Sequence, residues 1–262
     1  MTSVCYATHM TPLAAAFIFM FGTAVGSFLS AVLWRLHTGK NFVVARSHCT
    51  RCAHTLAPHD LIPIVSFLLL RGRCRYCHRA IDPSYIVIEI ITGTLFVIAA
   101  TLILHEPLTL TNVARLLLDW YLIATFIVVF VFDLRHMLIL RSVTLPAVVI
   151  AAVGNIAFGM PVTSLALGML LGAGFFYVQY TMSKGRWVGG GDVQLGLLIG
   201  AVLGARYALA AIFLAYITGA IYGTALIVLR KKELQSKIPF GTFLSANAVL
   251  MLLFGTQLLG NL

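Results

Sequence analysis

Long apolar runs divide this chain into segments of membrane-spanning length. Runs of about 18 to 22 apolar residues recur along the sequence, and a helix needs roughly 20 residues to cross the hydrocarbon of a bilayer. Eight spans are predicted, at about 12–34, 84–104, 113–132, 144–159, 162–182, 192–204, 207–229 and 240–259. The sixth span is short and rich in glycine, so it need not cross the bilayer fully.

Composition supports lipid as the solvent for most of the chain. Hydrophobic residues make up 60% of the sequence and charged residues 10%, whereas a soluble domain carries about 25% charged residues. Too few charges remain to cover a surface that faces water. An open sheet would leave backbone groups unpaired in lipid, so the spans must be helical. The sequence therefore predicts an all-α, polytopic membrane helix bundle of about eight transmembrane helices.

The basic residues indicate topology and not a nucleic-acid partner. The formal charge is +10, but the lysines and arginines, apart from Arg115 in the third predicted span, stand in loops between apolar runs. Four loops that the eight spans place on one side, 35–83, 133–143, 183–191 and 230–239, contain all of these residues except Arg115 and Arg206. Basic loops are typical of the cytoplasmic side of a membrane. That side is therefore predicted to be cytoplasmic, and the expected large partner is the lipid bilayer.

The loop 35–83 is the one substantial polar segment, and two pairs of cysteines lie in it. The pairs are Cys49-Thr-Arg-Cys52 and Cys74-Arg-Tyr-Cys77. A gap of two residues lets both thiolates face one ion, and four such sulfurs suit tetrahedral zinc. A polar domain of about 40 residues usually needs a bound metal or disulfides to be stable. Two disulfides are disfavoured in the cytoplasm, and unliganded thiols remain the alternative.

Neighbouring residues leave the ligand set of this metal site partly open. Three loop histidines could replace a cysteine as ligand: His48, His54 and His78. Histidines in loops are more often solvated, so the four cysteines are the predicted ligands. Cys5 is expected to be a free thiol without a role.

Two aspartates stand at the predicted cytoplasmic edge of the membrane. Asp133 follows the apolar run 127–132, and Asp192 follows three glycines and opens the sixth span. Carboxylates at such positions are costly and usually functional. Two carboxylates that share a site hold one proton between them, so one can take a proton from water while the other polarises a peptide carbonyl. This arrangement would hydrolyse a peptide without a covalent intermediate.

A capping role for the same aspartates is the alternative. Asp133 could cap a helix end against Arg135 or His136, and Asp192 could be the N-cap of the sixth helix. Sequence spacing alone leaves both interpretations open. Glycine lets another chain approach closely, so the glycines before Asp192 would allow a substrate strand to lie there. Glu89, on the cytoplasmic side of the second span, is a further candidate to line the site.

Several motifs taken in order resemble the type IV prepilin peptidases, a bacterial family of GxGD-type membrane aspartyl proteases. The motifs are Gly26-Ser-Phe-Leu-Ser-Ala-Val-Leu-Trp-Arg35, both cysteine pairs, the stretch 60–74, Tyr85-Ile-Val-Ile-Glu89, Phe132-Asp-Leu-Arg-His136 with Thr144-Leu-Pro146, Gly189-Gly-Gly-Asp-Val193 and Ile238-Pro-Phe-Gly241. The resemblance covers nearly the whole chain. It implies that Asp133 and Asp192 are the catalytic pair, with Gly189, Gly191, Pro239 and Gly241 shaping the site.

The resemblance also implies a substrate, a place and cofactors. It implies cleavage of the short basic leader of type IV prepilins or type II secretion pseudopilins, at the cytoplasmic face of the bacterial inner membrane. Many members then methylate the new N-terminus with S-adenosylmethionine, and the cysteine loop binds structural zinc. The chain would divide into a first transmembrane helix at 1–34, a zinc-binding loop domain at 35–83 and a seven-helix peptidase domain at 84–262.

Some positions depart from the family pattern. Leu140-Arg141 stands where a proline followed by Asp or Asn is usual, Gln194 where a lysine is usual, and Ser30 where an asparagine is common. Two other classes of protein remain as alternatives. A transporter could use the aspartates as an ion or proton relay. A non-catalytic assembly factor could keep the fold and bind pilin-like helices.

Overall fold

The computed structural model describes residues 10–39, 47–104, 109–229 and 238–260. Cys5 and the basic residues Lys40, Arg46 and 230–237 lie outside them. The helices are α1 (Pro12–Thr38), α2 (Val65–Leu69), α3 (Ser84–Ile103), α4 (Leu110–His136), α5 (Arg141–Ala157), α6 (Val162–Ser183), α7 (Gly190–Val228) and α8 (Phe240–Leu259), and a 3-10 turn spans Pro58–Leu61. The chain forms two compact units, Met1–Leu116 and Leu117–Leu262.

The helices confirm the prediction of an all-α polytopic membrane protein. Among the described residues, six helices are long and apolar enough to cross a membrane: α1, α3, α4, α6, α7 and α8. The fourth predicted span corresponds to α5, which has 17 residues and is shorter. The sixth and seventh predicted spans both fall within α7, which has 39 residues. Every predicted span therefore corresponds to helix.

In the first unit, glycines let α1 and α3 pack closely. A Cβ atom on Gly22 would lie 2.7 Å from Gly93 Cα, and one on Gly26 would lie 2.8 Å from Glu89 Cα. Gly22 and Gly26 are four residues apart and so lie on one face of α1. Small residues at this spacing are typical of close helix contacts in membranes, where packing and not hydrophobic burial drives association.

In the second unit, α7 consists of two halves that fold back on each other at Gly204. This residue has φ 68° and ψ −179°, a conformation essentially restricted to glycine. A straight helix would separate residues 196 and 216 by about 30 Å. Instead both residues lie near the ring of Phe240. Phe176 packs on Gly196, and its ring makes a T-shaped contact with that of Phe240 at 6.2 Å. The ring of Tyr216 lies 4.8 Å from that of Phe240 on the other side of the reversal. The two halves are therefore antiparallel.

The side chain of Asn155 repairs the helix break at Gly204. A break in a helix leaves the carbonyl groups of the preceding turn without their usual donors. Asn155, fully buried in α5, donates from Nδ2 to the carbonyl oxygens of Ala201 at 2.8 Å and Val202 at 3.0 Å. Unpaired backbone groups are costly inside a membrane, so this asparagine makes the reversal compatible with lipid.

The first half of α7 packs on α6 through facing glycines. Gly168 and Gly172 of α6 contact the backbone of α7, and a Cβ on Gly172, Gly196 or Gly200 would collide with the opposite chain. The second half packs on α8, where Tyr207 contacts Gly255. These contacts place the start of α7 and the end of α7 at the same end of this unit.

Candidate active site and metal centre

Asp133 lies in the last turn of α4, and the first turn of α8 holds its carboxylate. The backbone N–H of Thr242 donates to Asp133 Oδ2 at 2.8 Å, and the N–H of Gly241 also donates to this carboxylate. Pro239 is the N-cap of α8, so these amides have no acceptor within their own helix. Asp133 is 5% exposed. The carboxylate thus occupies the N-terminus of α8, which favours negative charge.

Asp192 lies in the first turn of α7. Its Oδ2 accepts a hydrogen bond from the Gly189 N–H at 3.0 Å, and the N–H of Asp192 donates to the Gly189 carbonyl at 3.1 Å. Gly189 is the N-cap, so Asp192 is the third helical residue and not the N-cap itself. Asp192 therefore does cap the start of α7, but as its third residue and through a hydrogen bond to the N-cap. This bond uses one lone pair of the carboxylate and leaves the others available.

Ile139 brings the surroundings of the two aspartates together. A Cβ on Gly191 would lie 2.9 Å from Ile139 Cβ, and a Cβ on Gly241 would lie 3.1 Å from Ile139 Cδ1. The side chain of Ile139 therefore separates the residue before Asp192 from a residue that binds Asp133. The two carboxylates are close enough to interact electrostatically. Both predicted aspartates thus lie at one end of the second unit.

Glycine is required at one position beside the carboxylates. A Cβ on Gly241 would lie 2.8 Å from Asp133 Oδ2, so any side chain there would displace the carboxylate. The carbonyl of Pro239 accepts a 2.6 Å hydrogen bond from Thr242 Oγ1, which closes the first turn of α8. Sequence reasoning missed Ile139 and Thr242. The contribution of Thr242 is a backbone amide, and only its place after the Ile238–Gly241 motif could have indicated it.

A cluster of aromatic side chains surrounds Phe240, the residue before Gly241. Phe240 contacts Phe176 and Tyr216, and the Tyr216 hydroxyl donates to Gln179 Oε1 at 3.0 Å. Gln194, two residues after Asp192, has a buried Oε1 without a hydrogen-bond partner among the described residues. The surroundings of the two aspartates are therefore largely apolar, and the side-chain oxygen of Gln194 is still able to accept a hydrogen bond.

In the first unit, the four predicted metal ligands form one cluster. The Sγ atoms of Cys49, Cys52, Cys74 and Cys77 all lie within 4.8 Å of one another, and Cys49 and Cys77 are 3.9 Å apart. Four thiolates around tetrahedral zinc would be separated by about 3.8 Å. None of these cysteines forms a disulfide. The donor set and its spacing fit zinc, and the disulfide alternative is wrong for these four residues.

The two cysteine pairs adopt the same local structure. In each, the first cysteine donates its N–H to a carbonyl five residues later, from Cys49 to His54 and from Cys74 to Arg79, at 2.9 Å. The residue after each second cysteine, Ala53 or His78, has a positive φ near 57° to 58°. Each pair thus forms a tight turn that presents both sulfurs to one point.

The thiols differ in their surroundings. Burial raises the pKa of the Cys74 thiol. Burial also acts on Cys49, but N–H groups of Arg51 and Cys52 point at its sulfur and bring the pKa of that thiol to about 7. Backbone amides directed at a sulfur stabilise its thiolate form, which is the form that binds a metal.

A charged network links the two halves of the cysteine loop. Asp60 Oδ1 accepts from Arg75 Nε at 2.7 Å, and Oδ2 accepts from the Tyr76 hydroxyl at 3.0 Å and the Ala57 N–H at 3.2 Å. Burial would raise the pKa of Asp60, but these three hydrogen bonds hold it below its usual range. The His54 ring lies 3.7 Å from that of Tyr76. This histidine therefore packs beside the cluster, and the metal-ligating group found among the described residues consists of cysteines alone.

Fold and site together define the class of protein: a multi-pass membrane protein with two aspartates at helix ends of its second unit and a cluster of four cysteines that could hold a metal ion. Residues 20–103 match the bacterial peptidase A24 N-terminal domain, and residues 120–224 match the type IV leader peptidase family. The chain is similar along almost its whole length to proteins named prepilin leader peptidase/N-methyltransferase.

Three such relatives illustrate this similarity. The protein from Aeromonas salmonicida (strain A449) is 31% identical, covering 98% of this chain and 97% of its own. That from Bacillus subtilis (strain 168) is 30% identical, covering 92% and 95%. The Pseudomonas aeruginosa protein is 31% identical, covering 91% and 90%. This chain belongs to the type IV leader peptidase family. No solved structure matches it.

Proposed function

We propose that this protein cleaves the leader peptide from type IV prepilins or type II secretion pseudopilins, with Asp133 and Asp192 as its catalytic pair. The observation that carries this assignment is the position of Ile139, which contacts the neighbours of both aspartates. This shared contact supports the pairing of two aspartates that are 59 positions apart in sequence. Membership of the family makes peptide hydrolysis the reaction such a pair would perform.

The two carboxylates would act by sharing one proton. The ionised member accepts a proton from a water molecule, whose oxygen then attacks the scissile carbonyl carbon. The neutral member donates a hydrogen bond to the carbonyl oxygen as negative charge develops there. The pair then holds two protons and gives one of them to the leaving amine nitrogen as the peptide C–N bond breaks, so that one proton remains on the pair as at the start. The backbone amides of Gly189, Gly241 and Thr242 hold the carboxylates in place for these steps.

The glycines would admit the substrate backbone. A Cβ on Gly189 would lie no closer than 3.6 Å to another atom, and one on Gly190 no closer than 3.9 Å. This turn is therefore open enough for a peptide strand to lie against it. The side chains of Tyr216 and of Phe240, which packs against the fully buried Phe176, would face the apolar helix that follows the leader in a pilin-like substrate.

The predicted orientation puts this site at the cytoplasmic face of the bacterial inner membrane. The loops 133–143 and 183–191 are basic, and their ends converge at the site. Basic loops favour the cytoplasmic side. A short basic leader would then be cleaved on the side where prepilins are made.

The second proposed activity is methylation of the new N-terminus. S-adenosylmethionine would supply the methyl group, and the relatives are named N-methyltransferases. Zinc would be a structural cofactor held by Cys49, Cys52, Cys74 and Cys77, whose sulfurs already converge. The domain limits 1–34, 35–83 and 84–262 remain a prediction.

The cleavage proposal is tested with isosteric variants. Purified protein is incubated with a prepilin-like peptide that carries a basic leader, and Asp133→Asn and Asp192→Asn are compared with wild type. Asp119→Asn is the matched control, because Asp119 is another buried aspartate of α4. Loss of cleavage in both proposed catalytic variants, with cleavage by the control, is expected. Wild-type cleavage rates in either catalytic variant would remove that aspartate from the mechanism.

The same experiment separates the two other classes of protein. A non-catalytic assembly factor would bind the peptide and cleave it in none of the variants. A transporter would show ion flux that depends on Asp133 or Asp192, without cleavage.

A further inference from the structure

We propose that a cavity in the first unit binds S-adenosylmethionine, with Glu89 facing its sulfonium and arginines at the rim binding its carboxylate. This inference rests on the proposed methylation and gives it a location. The cavity has a volume of about 730 Å³ and is lined by α1, the cysteine loop and the start of α3. Sites for small molecules typically have volumes of about 300 to 1,000 Å³.

Glu89 is a buried carboxylate without a cation. It lines the cavity, is 8% exposed, and lies in the second turn of α3. Its Oε2 accepts from the Ile64 N–H at 2.8 Å, and the Ser27 hydroxyl donates to the same group. Within the described part of the chain, no lysine, arginine or histidine pairs with it. A buried acid in a membrane segment is usually functional and paired, so a cationic ligand is the missing partner.

The rim of the same cavity carries the opposite charge. Arg51 and Arg79 line it and are exposed, and neither side chain forms an ion pair with another described residue. Arg75 also lines the cavity, but it is bound to Asp60. Guanidinium groups bind carboxylates through paired hydrogen bonds. Arg35 and the exposed Asp82 line the cavity too. The cavity therefore offers a buried negative charge at Glu89 and, in its more exposed part, mainly positive charge.

This separation of charge matches the methyl donor. S-adenosylmethionine carries a permanent positive charge on sulfur, and its methionine chain ends in a carboxylate with an ammonium group beside it. Its adenine ring needs an apolar surface, and Phe67, Leu70 and Ile86 also line the cavity. The N-terminal ammonium group of a cleaved substrate is also a cation, but that end of a peptide has no carboxylate to satisfy the arginines. The donor therefore fits the cavity better than the acceptor.

A purely structural role for Glu89 predicts a different result from substitution. Ile64 has φ 60°, and its N–H is tied to Glu89, so the carboxylate also anchors the turn before α2. In Glu89→Gln the side-chain carbonyl oxygen can still accept this hydrogen bond, while the negative charge is lost. The variant thus separates anchoring from charge recognition.

The test compares two ligands that differ in charge at sulfur. Binding of S-adenosylmethionine and of S-adenosylhomocysteine, whose thioether is neutral, is measured by titration calorimetry on the full zinc-loaded protein. Glu89→Gln should weaken binding of S-adenosylmethionine about ten-fold or more and leave S-adenosylhomocysteine nearly unchanged. Arg79→Gln should weaken both ligands to a similar extent, because both carry the carboxylate. Arg73→Gln, outside the cavity lining, is the charge-matched control.

Other outcomes overturn the inference. Equal weakening of both ligands in Glu89→Gln would mean that this residue does not recognise the sulfonium. Weakened binding of a cleaved peptide alone would assign the cavity to the methyl acceptor. Peptide cleavage is measured on every variant as a check of folding. A wild-type protein that cleaves prepilin but binds neither nucleoside would refute the cavity and the methylation while leaving the peptidase assignment intact.

Discussion

The backbone N–H of Thr242 donates a 2.8 Å hydrogen bond to Oδ2 of Asp133, across 109 positions of sequence. This bond joins the first turn of α8 to the last turn of α4. Its donor is a main-chain group, so the position of the α8 backbone, and not the threonine side chain, decides where the carboxylate lies. The same turn contains Gly241, whose missing side chain leaves the space that the carboxylate occupies.

Substitution of Gly241 by alanine should therefore damage catalysis more than folding. The new Cβ would lie 2.8 Å from Asp133 Oδ2 and 3.1 Å from Ile139 Cδ1, so the carboxylate must move. A displacement of about 1 Å at a catalytic group can reduce the rate about a hundred-fold. We expect a fall of that order in kcat for leader cleavage, measured on a prepilin-like peptide.

Gly174→Ala is the matched control for this prediction. Gly174 lies within α6, and a Cβ there would meet no atom within 4 Å. Its cleavage rate and Tm should equal those of wild type. A Gly241→Ala protein with the wild-type kcat would show that the carboxylate position seen here is not the catalytic one.

Metal analysis should find one zinc ion per chain in protein that was never exposed to chelator. The double variant Cys74→Ser/Cys77→Ser should contain none, because two thiolates cannot complete a tetrahedral site. Its cysteine loop should also become sensitive to protease, since a polar segment of this size depends on its metal. Cys5→Ser should retain full zinc content. Zinc in the double variant would require ligands other than the four cysteines.

Asp60→Asn should speed the release of zinc to a chromophoric chelator several-fold. The change removes the ion pair with Arg75, which connects the segment after the first cysteine pair to the second pair. The pKa of Asp60 is held below its usual range, so its contribution is complete at neutral pH and is lost only as the pH falls through that lowered value. The difference between variant and wild type should thus be the same at about pH 6 and pH 8.

Arg71→Gln serves as the control for the Asp60 experiment, since Arg71 lies outside the network around Asp60. Its zinc-release rate should match that of wild type. An Asp60→Asn effect that appears only at the lower pH would contradict the ion-pair explanation.

Asn155→Leu should destabilise the second unit. The substitution leaves the carbonyl oxygens of Ala201 and Val202 without their side-chain donor next to the break in α7. A buried polar group that loses its partner costs about 1 to 3 kcal/mol. A lower Tm is expected in detergent. Thr181→Val, an exposed change whose hydroxyl bonds only within α6, should leave the Tm unchanged, and equal Tm values for both variants would argue against the repair role.

Residue type explains which parts of this fold were predictable. The apolar runs predicted where the six membrane-length helices of the described residues lie, because length and composition alone decide whether a helix can span lipid. The spacing of Cys49, Cys52, Cys74 and Cys77 predicted their convergence, since a gap of two residues already directs paired sulfurs to one point. Asp133 directly follows an apolar run, and Asp192 follows three glycines and opens another. These positions at the ends of predicted spans indicated that both aspartates lie at one edge of the helix bundle.

Contacts made by backbone groups or by ordinary apolar residues were not predictable in this way. Ile139 is indistinguishable in sequence from the isoleucines that face lipid, and its importance comes only from the two glycines packed on it. The backbone N–H that Thr242 supplies is present in every residue except proline. Asn155 is one of four polar residues in α5, with Arg141, Ser142 and Thr144, and nothing in the sequence indicates that its partners lie next to Gly204.

Because Gly204 has only a hydrogen atom as its side chain, the helix can reverse there, and this reversal decides on which side of the membrane the chain after it lies. Any larger side chain would disfavour φ 68° with ψ −179° and favour a continuous helix of about 58 Å, nearly twice the thickness of the hydrocarbon. Leu229 and the whole of α8 would then be carried to the opposite face of the bilayer, where a membrane-impermeant thiol reagent could detect a cysteine placed at position 229. Asp133 would lose the amides that bind it, although its own helix had not changed.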